Sequence, residues 1–233
     1  IYNTVKTKLF LLSVAVMGLA TSCQQKPESQ PLADEVQYVD PFIGTGFHGH
    51  TFPGVTRPYA MVQLSPDTHI MGWDASSGYH YDDQQIYGFS HTHLSGTGIG
   101  DLGDILLLPF SGGDSIKPVA TFKKETEKAT PGYYAVRLEN LGVNVELTST
   151  DRVGFHRYTF DNPKDRRVML DLGHVLQPNW GHKLVSNDYQ LVNDSTVEGT
   201  YKTQGWAHFH SVSYRVTFSE PMTKIYQYID GKM

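Results

Sequence analysis

The sequence holds a single cysteine, Cys23, among 233 residues. One thiol excludes an internal disulfide, so any fold must rest on packing and hydrogen bonds. A basic stripe is also missing. The 19 Lys and Arg stand against 24 Asp and Glu, and the formal net charge of -5 is spread along the chain. Nucleic acid is therefore excluded as a partner, because binding its backbone needs clustered cations. No apolar run reaches the ~20 residues that a membrane-spanning helix requires. Past the first apolar stretch, no window of about eleven residues keeps a 3.6-residue apolar period, which argues against long amphipathic helices. What is present points the other way. Twenty-two Gly, 14 Tyr, 11 Phe and 3 Trp favour strands joined by tight turns, and a hydrophobic share of 39% is enough for a real core.

The start of the chain has a texture of its own. Lys6 and Lys8 precede an apolar stretch from Leu9 to Leu19, and Ala20, Thr21 and Ser22 bring small residues up to Cys23. A positive start, a short apolar middle and a small-residue cleavage site make an export signal. The Ala-Thr-Ser-Cys end resembles a bacterial lipobox, which implies cleavage before Cys23 and lipid attached to its thiol. Residues 1–22 are read as a lipoprotein signal peptide and 23–35 as a polar tether with Pro27 and Pro31. Residues 36–233 are read as the folded domain, lipid-anchored in the bacterial cell envelope. Ile1 in place of Met, and no closing signal before Met233, read as a chain cut at both ends.

Up to Gly113 the domain is rich in Gly, His and aromatics with weak periodicity, as expected of loops and short strands around a site. Beyond it, alternation sets in. Tyr134, Val136 and Leu138, and then Val143, Val145 and Leu147, alternate with polar neighbours, with a turn at Asn140-Leu141-Gly142. Residues Phe155–Phe160 and Arg167–Leu172 read as another strand pair divided by Asp161-Asn162-Pro163. Val212, Tyr214, Val216 and Phe218 mark a further strand. Short strands with turn residues between them predict an all-β, antiparallel sandwich.

Four groups of residues could carry chemistry. Gly98-Ile99-Gly100-Asp101-Leu102-Gly103 spells a dinucleotide fingerprint, but the motif needs a helix to follow. Ile105 to Pro109 reads instead as a strand, so the match is accidental. The pairs His48/His50, His91/His93 and His208/His210 place imidazoles two residues apart, the spacing at which a strand can aim both at one metal. Hydrogen bonding to backbone or to a polar ligand is the competing role. A glycosidase needs two carboxylates, and in the inverting geometry they stand ~6.5–9.5 Å apart. Asp82/Asp83 and Asp101/Asp104 are available, and neither pair declares itself catalytic. Finally, Trp73, Tyr79, Tyr81 and Tyr87 flank a Gly/Ser-rich stretch suited to a sugar face. Core packing is preferred for Tyr87 and Phe89, and ligand contact for Trp73.

The order of motifs is more specific than any one of them. Val39-Asp40-Pro41-Phe42-Ile43-Gly44-Thr45-Gly46 is followed by His48-Gly49-His50-Thr51-Phe52-Pro53-Gly54 and by Met61 to Thr68. Gly72-Trp73-Asp74, Ser77-Gly78-Tyr79-His80-Tyr81, Gly88 to Gly98 and Gly103-Asp104-Ile105-Leu106 complete the run. This series resembles the opening of glycoside hydrolase family 92, tightly over residues 36–113. Ser76 departs from it, standing where relatives often carry a cysteine.

The resemblance implies an exo-acting, inverting, calcium-dependent α-mannosidase. Its N-terminal β-sandwich, a galactose-mutarotase-like supersandwich, would pack against a larger C-terminal helical barrel. Catalytic acid, base and most calcium ligands would belong to that barrel, so no catalytic or metal residue is assigned to this chain. Its expected share is a pocket wall built from Trp73, Asp74, His91, His93, Ser95 and Gly96. The expected ligand is an α-mannoside of an N-glycan or mannan oligosaccharide, and the isolated domain is expected to be inactive. A stand-alone carbohydrate-binding lipoprotein and a His-x-His metal-dependent hydrolase are the alternatives.

Overall fold

The computed structural model describes residues 35–112 and 117–228. The expected signal peptide, Cys23 and all but the last residue of the tether lie outside them. In chain order the strands are β1 (Val55–Thr56), β2 (Gln63–Asp67), β3 (Gln85–Ile86), β4 (Gly88–Ser90), β5 (Leu106–Phe110), β6 (Ala120–Thr121) and β7 (Lys128–Thr130). They continue with β8 (Tyr133–Leu138), β9 (Val143–Ser149), β10 (Gly154–Phe160), β11 (Arg167–Asp171), β12 (Lys183–Asn193), β13 (Thr196–Gln204) and β14 (His210–Thr217). Every strand pair is antiparallel. Helical structure among the described residues is confined to single 3-10 turns, as the missing 3.6-residue period requires.

The alternation in β8 and β9 explains the core. Tyr134 pairs with Leu147, Val136 with Val145 and Leu138 with Val143, and all six side chains are buried. The turn between them closes on the amide of Gly142, which donates to the Leu138 carbonyl at 3.1 Å. These residues share one cluster with Val55, Leu64, Phe89, Leu108 and Phe110. A four-stranded sheet, β10-β9-β8-β7, therefore lies against a five-stranded sheet, β1-β2-β4-β5-β11. Each large apolar side chain enclosed this way contributes roughly 1.5–3 kcal/mol. The small pair β3-β6 adds Ile86 and Ala120 to the same core.

One expected pairing is corrected. Residues 155–160 and 167–171 are strands, but not each other's partners. β10 pairs with β9 and β11 pairs with β5, so the Asp161–Arg166 link carries the chain from one sheet to the other. The turn residues there announced a change of direction and could not say between which sheets.

A third sheet, β12-β13-β14, follows. In β14, Val212 is buried and Tyr214 and Val216 half-buried between exposed Ser211, Ser213 and Arg215, which is the predicted alternation. The longest strand, β12, has no such alternation because nearly all its residues are exposed. Its register with β13 is read only from the fold.

Candidate functional site

Residues 91–104 form the centre of the candidate site. This segment runs from the end of β4 to β5 without regular structure, and its "fingerprint" glycines lead into a strand. Two buried carboxylates hold it. Asp67, fully buried at the end of β2, accepts from His93 Nε2 at 2.6 Å and His174 Nε2 at 2.7 Å. Burial alone would raise the Asp67 carboxyl. The charge of His93 and hydrogen bonds from His174 and His93 outweigh it and hold the group at about 2. Asp104, also fully buried, accepts from Thr92 Oγ1 at 2.6 Å and from His210 Nε2 on β14 at 2.7 Å. That hydrogen bond to Asp104 raises the His210 imidazole above its ordinary value.

His91 and His93 therefore face inward. His93 Nδ1 donates to the Gln63 carbonyl at 2.7 Å, so both of its ring nitrogens serve acceptors within the protein. His91 belongs to a relay instead. The Tyr158 hydroxyl donates to His156 Nδ1 at 2.8 Å, His156 Nε2 donates to His91 Nε2 at 3.0 Å, and His91 Nδ1 donates to the Ile105 carbonyl at 2.7 Å. Such a relay needs neutral rings, and burial lowers both imidazoles accordingly. The two histidines brace the segment and point to separate partners. Among the described residues no group of three or more His, Cys, Asp or Glu side chains is placed to hold a metal ion. The His-x-His metal site considered above is not assembled.

Trp73, Asp74, Ser95 and Gly96 lie outward. Trp73 is 51% exposed in a single 3-10 turn, Trp73–Ala75. Its indole packs against the rings of His50 and His48, with centroids 4.4 and 5.1 Å away. His48 Nδ1 is bonded to the Asp74 carboxylate beside it. Under the indole lies Gly98, at φ +66°; a Cβ there would sit 2.9 Å from Trp73 Nε1. His50 bonds Ser76 Oγ through Nδ1 at 3.0 Å, and its buried Nε2 has no hydrogen-bond partner. An unmade hydrogen bond at a buried polar atom is costly, and the surrounding protein closes this nitrogen off from solvent. Ser95 and Gly96 form the exposed tip of the segment, tied down by the Gly96 amide to the His50 carbonyl at 2.6 Å.

Sequence reading missed the residue that fixes Trp73. Gln177, fully buried, accepts from the Gly72 amide and donates to the Gly72 carbonyl, both at 2.8 Å, across 105 positions of chain. Gly100 makes room for it, since a Cβ there would fall 1.8 Å from Gln177 Cγ. Asp101 meanwhile accepts from the amides of Trp206 and Ala207 at 2.9 and 2.7 Å. All three tryptophans, Trp73, Trp180 and Trp206, are thus exposed and anchored around one segment, Trp180 through the turn that begins at Gln177. Of the other aromatics singled out, Tyr79 and Phe89 are buried, Tyr87 is half-buried and Tyr81 is exposed.

Fold and site together define a β-sandwich whose loop face is rimmed with aromatic rings and lined with polar groups, a form suited to polyhydroxylated ligands. Comparison makes this specific: residues 38–232 match the Glycosyl hydrolase family 92 N-terminal domain, and the chain belongs to that family. An uncharacterized secreted glycosidase of Arthroderma benhamiae is 32% identical over 176 residues, 69% of this chain and 22% of that protein. A family 92 α-mannosidase from Bacteroides thetaiotaomicron, also solved in complex with mannoimidazole, superposes with a TM-score of 0.76 at 37% identity, covering 81% of this chain and 26% of that one. A second family 92 glycosyl hydrolase gives 0.61 at 27% identity over 78% of this chain and 25% of its own. The chain thus spans about a quarter of the length of the relatives it matches.

Proposed function

We propose that this domain forms one wall of the sugar pocket of an exo-acting α-mannosidase, of α-1,2-mannosidase-like type, acting on mannose-containing glycans. The observation that carries the reading is the half-exposed Trp73 indole, clamped through Gly72 by Gln177 and seated over Gly98. It offers a flat apolar face to a pyranose, and the exposed Ser95–Gly96 tip offers hydrogen bonds to its hydroxyls. The mannoimidazole complex of the Bacteroides relative supports a mannoside as ligand.

The carboxylates around the site already hold partners within the domain. Asp67 serves the buried His93 and His174. Asp104 accepts from Thr92 and the half-buried His210 through Oδ2, while its buried Oδ1 has no partner. Asp101 caps two amides and Asp74 pairs with His48. In this reading the acid and base of an inverting hydrolysis come from a C-terminal helical barrel of the same polypeptide. Calcium, which such an enzyme would use, would be bound mainly there. The domain itself extends as a galactose-mutarotase-like supersandwich, held at the cell envelope by lipid on Cys23. Among the described residues no helix is long and apolar enough to cross a membrane. Replacing Trp73 by Ala in the protein made from its complete reading frame should lower kcat/KM on an aryl α-mannoside by about tenfold. Unchanged kinetics would remove Trp73 from the site.

A further inference from the structure

A second concave surface lies on the other flank of the same tip. This cleft of about 590 Å³ is lined by Phe52, Arg57, Tyr59, Gln63, Ser95 and Thr97, among others, a size within the range of ligand sites. It is joined directly to the first site. Ser95 and Thr97 face the cleft, while the next residue, Gly98, lies under Trp73. Gln63, on the cleft wall, accepts from the His93 amide at 3.3 Å and donates to the Ala60 carbonyl at 2.7 Å.

Tyr59 is the unusual residue here. It occupies the third position of a turn that the Ala60 amide closes on the Arg57 carbonyl at 3.0 Å. Pro58 stands before it, and its φ is +60°, a backbone state at which glycine is strongly favoured in such turns. A bulky residue held there is uncommon enough to need a reason. Internal packing does not supply one, because Tyr59 is fully exposed, at 108%. The turn is nevertheless stiffly held: Thr56 Oγ1 donates to the Val62 carbonyl at 3.0 Å, and the Met61 amide to the Asp151 carbonyl at 2.8 Å. Arg57 meets Asp151 at 3.3 Å with both side chains more than 60% exposed. Such a pair is weak and leaves guanidinium donors free for hydroxyls. The chain thus presents an aromatic ring to the solvent from a stiffly held turn, at a backbone cost, beside a polar cleft.

We propose that this cleft is a subsite for the sugar units of the glycan beyond the one held at Trp73. Tyr59 is the platform, and Arg57, Gln63, Ser95 and Thr97 are the hydroxyl partners. The inference rests on the α-mannoside reading and extends it from one sugar to several. The test compares an aryl α-mannoside with an α-mannotetraose, using the complete protein and its Tyr59→Gly and Arg57→Ala variants. Glycine suits the turn, so Tyr59→Gly should keep or raise Tm. It should raise KM for the tetraose roughly three- to tenfold, the worth of one aromatic contact, and leave the aryl mannoside within about twofold. Arg57→Ala should shift the same ratio in the same direction. Equal losses on both substrates, or no loss on the tetraose, overturn the subsite and leave the Trp73 reading standing. A wild-type protein that neither binds nor cleaves either mannoside overturns both.

Discussion

Replacing Asp67 by Asn should cost the protein a stability contribution that depends on pH in a calculable way. The folded carboxyl sits at about 2 against an ordinary value of 3.8. Each unit of such a shift is worth about 1.4 kcal/mol, so Asp67 contributes on the order of 2 kcal/mol at neutral pH. The depressed value fixes the sign. The contribution is complete above the unfolded value and is lost as pH falls through the folded one, with roughly half gone by pH 3. The carboxylate is fully buried, so solvent screening takes little from this figure. Urea unfolding of wild type and Asp67→Asn, followed by tryptophan fluorescence at pH 7, 5, 4 and 3, measures it. The gap between the two proteins should be about 2 kcal/mol or more at pH 7 and 5, and should narrow by about 1 kcal/mol by pH 3. Two curves that fall in parallel across that range would refute the claim that His93 and His174 charge-stabilise this group. The same substitution removes the joint between β2, the 91–104 segment and the chain leading to Gln177, so the wild-type position of Trp73 depends on it as well.

Two further substitutions examine the clamp itself. Gln177→Leu keeps the buried volume but loses both bonds to Gly72; it should destabilise by about 2 kcal/mol and shift the Trp73 emission, whereas unchanged emission would mean that the turn holds its shape unaided. Gly98→Ala adds a methyl 2.9 Å from Trp73 Nε1 at a φ of +66°; it should cost about 1–2 kcal/mol and weaken binding of a simple α-mannoside, a result checked by thermal unfolding and titration calorimetry together.

Local pattern decided the parts of this molecule that depend on near neighbours. The alternation of Tyr134 to Leu147 fixed a hairpin with one buried face, since side chains two apart in a strand share a face whatever surrounds them. Missing helical periodicity fixed the all-β class, and Gly72-Trp73-Asp74 marked a surface turn. The eleven residues of β12 escaped notice because their polarity follows no alternation. Long-range contact decided everything else. His91 and His93 share a spacing that suits a common ligand, but whether an imidazole meets metal, sugar or a buried carboxylate depends on what the fold brings against it. Asp67 lies 107 positions from His174, and Asp104 lies 106 from His210. Gln177 looks like any polar loop residue until Gly72 and Gly100 close around it. Periodicity reports which face of an element is dry; only packing says which side chains meet there, because partners a hundred residues apart leave no local trace.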